Sequence, residues 1–404
     1  MSVLQELADL IVDNLEGDTA SLKSCCLAAR TFVQRSQIHL FQKVEFRPPA
    51  PDGSGNNPQK FYQSLILSPH LATLVQNLRI VTIVGHFGED RAVDDDVQYY
   101  RPSWVTETGT LALLIPLLNL KHISIVQDCP GRWMQYTMDW SKIPRTLRLA
   151  LTTVFASPSL ESAEFQGFKI SSPQELMLLF SKAASLKSLS ISRVHLQSLD
   201  EATSWPESQR WEPKLTSLFL SDMWADSFGH LFLDSRIDLS RVSSLRVASR
   251  TSPGADGWKT KIIQPIVCPR VQHLAIHIPM PKDIPSIPTT SHLISLHLFV
   301  LGIEDALLSL FKSFPVDSRL EKLTLDGMTL PFRTDPGSRN SALESGLFRL
   351  SRLGMVEIKV LVRQNTTFSE WSDQARAALQ CLEMRCLLQL TQLPDQLELD
   401  AGWH

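Results

Sequence analysis

The chain has 404 residues, 43% of them hydrophobic, and its 39 basic and 42 acidic residues leave a formal charge of −3. With the charge this balanced and no block of five Lys or Arg anywhere, an electrostatic grip on nucleic acid or an anionic membrane is excluded. The six cysteines are scattered without a Cys-x-x-Cys pair, so the expectation is buried free thiols rather than a disulfide framework or a zinc site.

Residues 3–46 open the chain with helical periodicity. Leu4, Leu7, Ala8, Ile11, Val12 and Leu15 fall at i, i+3, i+4, i+7, i+8 and i+11, an amphipathic helix that Gly17 ends, with Val3 and Leu10 widening its apolar arc. Asp18 or Thr19 can cap a second helix bearing Leu22, Cys25, Cys26 and Ala29. A third helical stretch runs from Thr31 to Leu40 and Phe41, and the alternating Val44 and Phe46 follow it. Three short helices bury too little surface to be stable alone, so this head needs a partner, either the rest of the chain or another protein. Residues 47–60 are a Pro, Gly and Asn-rich linker, and a helix over about 60–67 leads out of it.

Beyond the linker one pattern recurs: an apolar residue, another three positions on, and a third two positions after that. Val75/Leu78/Ile80, Leu120/Ile123/Ile125, Leu160/Ala163/Phe165, Leu186/Leu189/Ile191 and Leu215/Leu218/Leu220 fit it. So do Val242/Leu245/Val247, Val271/Leu274/Ile276, Leu293/Leu296/Leu298, Leu320/Leu323/Leu325 and Leu353/Val356/Ile358. From residue 160 onward the copies start 26, 29, 27, 29, 22, 27 and 33 residues apart, and the two earlier intervals are 45 and 40. Alternation marks a strand with one buried face. A strand that returns this often hides that face by stacking beside its own copies.

Between copies, Leu111/Leu114/Ile115/Leu118, Leu147/Ala150/Leu151/Val154, Leu176/Leu179/Phe180/Ala183 and Leu307/Leu310/Phe311/Phe314 show the stripe of a helix on a core. The expected fold is therefore α/β, a leucine-rich-repeat solenoid over residues 61–364, with a parallel sheet on the concave side and helices on the convex side. Residues 89–100, 279–291 and 331–346 read as insertions, the second held extended by four prolines. Residues 365–404 read as a C-terminal cap, with Trp371, Ala375, Ala378, Leu379, Leu382, Cys386, Leu387 and Leu390 on one helical face.

The head resembles an F-box. Val3-Leu4-Gln5-Glu6-Leu7, then Ile11, Leu15, Leu22, Cys26 to Arg30, and Leu40-Phe41 follow that family's pattern, with Leu4 where the family usually has Pro and Ala29 where it often has Ser. An F-box followed by irregular leucine-rich repeats is similar to the large F-box families of mushroom-forming fungi. The resemblance implies a substrate receptor of a cullin-type ubiquitin ligase. Its head would dock on the Skp1-type adaptor, and through it on a cullin, by Val3, Leu4, Leu7, Ile11, Leu22, Leu27 and Phe41. The rival reading is a leucine-rich scaffold outside any ligase, its helices folded back as a cap on the first repeat.

No nucleophile elbow, Walker loop, zinc-protease motif or dinucleotide fingerprint occurs, so no enzyme activity, metal or cofactor is expected. His273 and His277 are four apart on a strand, about 13 Å, too far to share an ion. Asp94 to Asp96 read as a solvated run. The concave face is the candidate target surface, carrying Arg79, His122, Glu164, Phe219, Arg246, His273, His297, Phe299, Lys322 and Glu357. The first residues lack a basic leader, and the longest apolar run, 111–118, is too short to span a bilayer, so a cytoplasmic or nuclear location is expected.

Overall fold

The computed structural model describes residues 5–48, 57–84, 104–105, 109–128, 138–171, 173–196, 211–221, 237–248, 269–277, 292–299, 305–315, 317–326, 339–360 and 367–392. The chain is α/β, and its strands pair in parallel. It divides into two compact units. The first holds residues 1–129, 135–189 and 204–213, and the second holds 130–134, 190–203 and 214–404.

The first unit begins with α1 (Gln5–Asp13), α2 (Thr19–Ala28) and α3 (Arg30–Phe41). Gly17 turns the chain with φ +95°, and the Asp18 carboxylate caps α2 by accepting from the Ser21 amide at 3.0 Å. Helix α1 lies against α3, with Ala8 and Val12 wholly buried. Its last residue is pinned there: Asp13 accepts from Arg35 at 2.5 and 2.8 Å and contacts His39 Nε2 at 2.7 Å. These two partners hold the Asp13 carboxyl down to about 2, Arg35 having the larger effect.

Then come β1 (Lys43–Phe46), α4 (Pro58–Leu67), α5 (His70–Leu74), β2 (Asn77–Val84), α6 (Thr110–Leu114), β3 (His122–Asp128), β4 (Met138–Asp139), α7 (Arg145–Phe155), β5 (Ser162–Ile170) and α8 (Pro173–Ser181). Strands β1, β2, β3 and β5 pair in that order, and β4 adds to β5. Register stacks like on like: Val44, Leu78, Ile123 and Ala163 form one row, and Phe46, Ile80, Ile125 and Phe165 the next. The end of the head joins the sheet. Phe41, Val44 and Phe46 repeat the strand template, β1 is the first strand of the sheet, and Phe41 and Phe46 pack on Phe61 at 6.3 and 5.7 Å.

Gly167 lets β5 change partner. Its φ of +80° shifts the alternation, so Phe165 and Phe168 are both wholly buried although three apart. Before it β5 pairs with β3, and after it with β4. The two rings meet at 4.7 Å and gather Trp140, Phe155 and Phe180 around them, the aromatic centre of this unit.

Strand β6 (Ser188–Leu196) crosses the division, since Leu189 belongs to the first unit and Ser190 to the second. The second unit continues with β7 (Ser217–Ser221), β8 (Ser244–Ala248), β9 (His273–His277), β10 (Ser295–Phe299), α9 (Asp305–Ser313), β11 (Lys322–Asp326), α10 (Arg339–Phe348), β12 (Met355–Val360), α11 (Phe368–Ala378), α12 (Gln380–Met384) and β13 (Leu388–Gln392). Strands β7 to β13 pair in chain order without a shift. Leu218, Leu245, Leu274, Leu296, Leu323 and Val356 share one row, and Leu220, Val247, Ile276, Leu298, Leu325 and Ile358 another. From Val75 to Ile358 every position of the repeated template is buried, while in the β1 copy Phe46 is buried and Phe41 and Val44 are half-buried. Each side chain so hidden contributes about 2 kcal/mol, which is why the pattern tolerates little but Leu, Ile, Val or Phe.

Three expectations are corrected here. Residues 331–346 are not all insertion: α10 starts at Arg339, buries Leu343 and Leu347, and brings Gly346 against Phe311. The C-terminal helical face stops at Leu382. Cys386 takes φ +56° and the chain turns into β13 beside β12, which removes Leu387 and Leu390 from any helix. The Glu344 carboxylate caps α12 there, accepting from the Cys381 and Leu382 amides at 2.9 and 3.2 Å. Finally, Cys25 and Cys26 are half-buried and Cys381 and Cys386 exposed, so these free thiols are not core residues. Cys129, Cys268, the insertions at 89–100 and 279–291, and the acidic run at Asp94 lie outside the described residues.

Candidate functional site

Two kinds of surface stand out, a helical one on the head and a polar one on the open faces of the strands. On the head, α1 turns Ala8 and Val12 inward and leaves Leu7, Leu10 and Ile11 52%, 59% and 46% exposed; Leu27, at the end of α2, is 89% exposed. Leu7, Leu10 and Ile11 form an apolar stripe on one side of α1, and Leu27 is a further large aliphatic side chain left in water on the head. Of the residues expected to dock an adaptor, Leu7, Ile11 and Leu27 are exposed. Leu22 is not: it is 2% exposed and fills the head's interior. Phe41 also turns inward, against Phe61. Val3 and Leu4 lie outside the described residues. Leu10 is the addition. Helical spacing places it beside Leu7 and Ile11, but only the packing of α1 on α3 decides which side of a wide apolar arc is covered.

Residues that alternate with the buried rows form the open face. In the first unit the row Glu45, Arg79, Ser124, Glu164 runs across β1, β2, β3 and β5. With Lys43, Asn77 and His122 it lines a shallow cleft of about 380 Å³. Arg79 lies 3.8 Å from Glu45, Arg47 also pairs with Glu45, and the Ser124 hydroxyl donates to Glu164. Burial pulls the His122 imidazole down and the nearby Glu164 charge works the other way. Here the structure brings together the expected Arg79, His122 and Glu164.

In the second unit one open row reads Phe219, Arg246, Ala275, His297, Thr324, Glu357 and the next reads Ser221, Ala248, His277, Phe299, Asp326, Lys359. The Arg246 guanidinium lies 4.9 Å from the centre of the Phe219 ring, a cation–π pair. His297 Nε2 meets Asp326 at 2.6 Å. Glu357 faces Lys322 at 3.3 Å and Lys359 at 3.7 Å, and accepts from the Thr324 hydroxyl at 3.3 Å. His273 is exposed and Phe299 half-buried on the same face. Glu357 departs from expectation: it is buried under its lysines rather than presented to solvent.

The sequence matches no protein-family model and no curated protein. Among the described residues no helix is long and apolar enough to cross a membrane, and no three His, Cys, Asp or Glu side chains gather in a metal-binding group.

Proposed function

We propose that the chain is the target-recognition subunit of a Skp1-cullin-F-box type ubiquitin ligase. In this reading the head is an F-box, the parallel strands and their helices are a leucine-rich-repeat solenoid, and the open face of the strands holds a protein target. The observation that carries it is the uncovered side of α1, where Leu7, Leu10 and Ile11 are exposed while the opposite side is fastened to α3. A helix presenting i, i+3 and i+4 aliphatic anchors is the form in which one helix enters another protein's groove. The chain itself would catalyse nothing. It would raise the concentration of a bound target beside the transfer machinery.

The scaffold reading also has support: β1 pairs with β2 and Phe41 packs on Phe61, contacts that a head folded back on the first strand-helix unit would make. The two part on one measurement. Purified chain mixed with a purified Skp1-type adaptor at micromolar concentration is expected to elute from gel filtration as a complex. Separate elution of the two would refute the ligase role and leave the scaffold.

A further inference from the structure

The open face of the second unit is sorted by depth as well as by charge. Its carboxylates are sunk: the Asp326 and Glu357 side chains are 3% and 11% exposed. Its cations stand above them, with Lys322 44% and Lys359 27% exposed. Each buried acid is engaged from above, Glu357 by the two lysines and Asp326 by His297. The carboxylates thus orient the cations, and an approaching molecule meets the ammonium groups and the imidazole before the acids. Arg246 adds to this. Burial among its neighbours disfavours its charged form, with Asp326 as counter-charge, so a further anion nearby would be welcome.

We propose that this face binds an extended acidic peptide segment of a protein partner, laid across β8 to β12 so that its Asp and Glu side chains meet Arg246, His297, Lys322 and Lys359. The span fits such a segment. Four strand intervals cover about 19 Å, the length of about six extended residues. Phe299 on β10 supplies apolar contact along the path and Phe219 on β7 just beyond its β8 end, and a basic peptide could reach the buried acids only by displacing the lysines. This rests on the reading of the open face as a target surface and names the target's chemistry.

The test uses the full chain without any adaptor, so its outcome is independent of the head. Random peptides displayed on phage are selected on the chain, and the selected set is expected to be enriched in Asp and Glu. Binding of a selected peptide, followed by fluorescence polarisation, should weaken about tenfold in the Lys322→Gln, Lys359→Gln double variant and survive in the Lys322→Arg, Lys359→Arg one. It should also weaken as salt rises. If the Gln variant melts early, the salt series on the native chain decides, and salt-independent binding overturns the inference. Neutral or basic peptides whose binding still falls with Phe219→Ala would overturn the acidic preference and leave the face a docking surface. A chain that selects no peptide overturns both.

Discussion

The sharpest test of the head is to put charge on the exposed side of α1 and leave everything else alone. Consider Leu7→Asp and Ile11→Asp. In the free chain both side chains are about half in water, so neither substitution opens a cavity, and the melting temperature should stay within the range of surface changes, about 0.5 kcal/mol. In a complex the same positions are covered. Covering the exposed parts of Leu7, Leu10, Ile11 and Leu27, at about 2 kcal/mol for a full leucine, yields about 5 kcal/mol, between three and four powers of ten in Kd. One aspartate removes its share, about 1 kcal/mol, and also strands a carboxylate in an apolar contact. The total is at least about 3 kcal/mol, more than a hundredfold in Kd.

Calorimetric titration with the adaptor measures the loss, and a thermal melt of each variant guards against unfolding. Leu22→Ala is the contrasting control: that side chain is interior, so it should lower the melting temperature by the cost of a cavity, about 2 to 5 kcal/mol, without touching the contact surface. Full adaptor affinity in the well-folded Leu7→Asp, Ile11→Asp variant would refute the reasoning. So would a drop in stability comparable with that of Leu22→Ala, because it would mean α1 hides the face taken here as open.

Three further outcomes follow from the packing. Phe165→Ala empties the centre of the aromatic cluster in the first unit and should cost about 3 to 5 kcal/mol in urea unfolding, whereas Leu149→Ala on the exposed side of α7 should cost under about 1 kcal/mol. Gly167→Ala would place a Cβ 2.5 Å from Gln127 Oε1 and 2.7 Å from Gln127 Cβ at a φ of +80°, so it should destabilise by more than the 1 to 2 kcal/mol, roughly, of left-handed strain alone; a neutral melt would refute the partner switch in β5. Asp13 has its folded pKa lowered from 3.8 to about 2, so its link to Arg35 and His39 stabilises the head above the unfolded value and is lost as pH falls through the folded one. Circular dichroism over that acid range should show Asp13→Asn flattening the pH dependence while leaving neutral-pH helicity in place.

How far these features could be read from the sequence depends on the range over which each is decided. The buried rows were legible because the template is local: an alternating pair with a third apolar residue upstream is a property of six consecutive positions, and each copy occupies a strand. Where that signal overlaps another, it loses. Phe41/Val44/Phe46 satisfies the template, but its first member ends the third helix, so only the alternating pair Val44 and Phe46 stands out. At β13 the upstream position is Arg385, so Leu388 and Leu390 lacked their third member and the preceding helical spacing absorbed their neighbours. Strand β4 has two residues and no pattern to recognise.

The open face shows the limit differently. Parity places Glu357 and Lys359 on the same side of β12, and parity is local. Which of them meets solvent is set by Lys322 and Thr324, which lie on the preceding strand beyond α10 and reach the carboxylate only because β11 and β12 pair in register. A single-residue slip of β12 would move Glu357 to the interior face, where a carboxylate is far costlier than beneath two ammonium groups. The apolar rows fix that register by stacking Val356 on Leu323 and Ile358 on Leu325. The legible part of the sequence, the buried rows, therefore determines the illegible part, the depth of each charge, and the cationic outer layer of the second unit is a consequence of hydrophobic alignment rather than of any local charge motif.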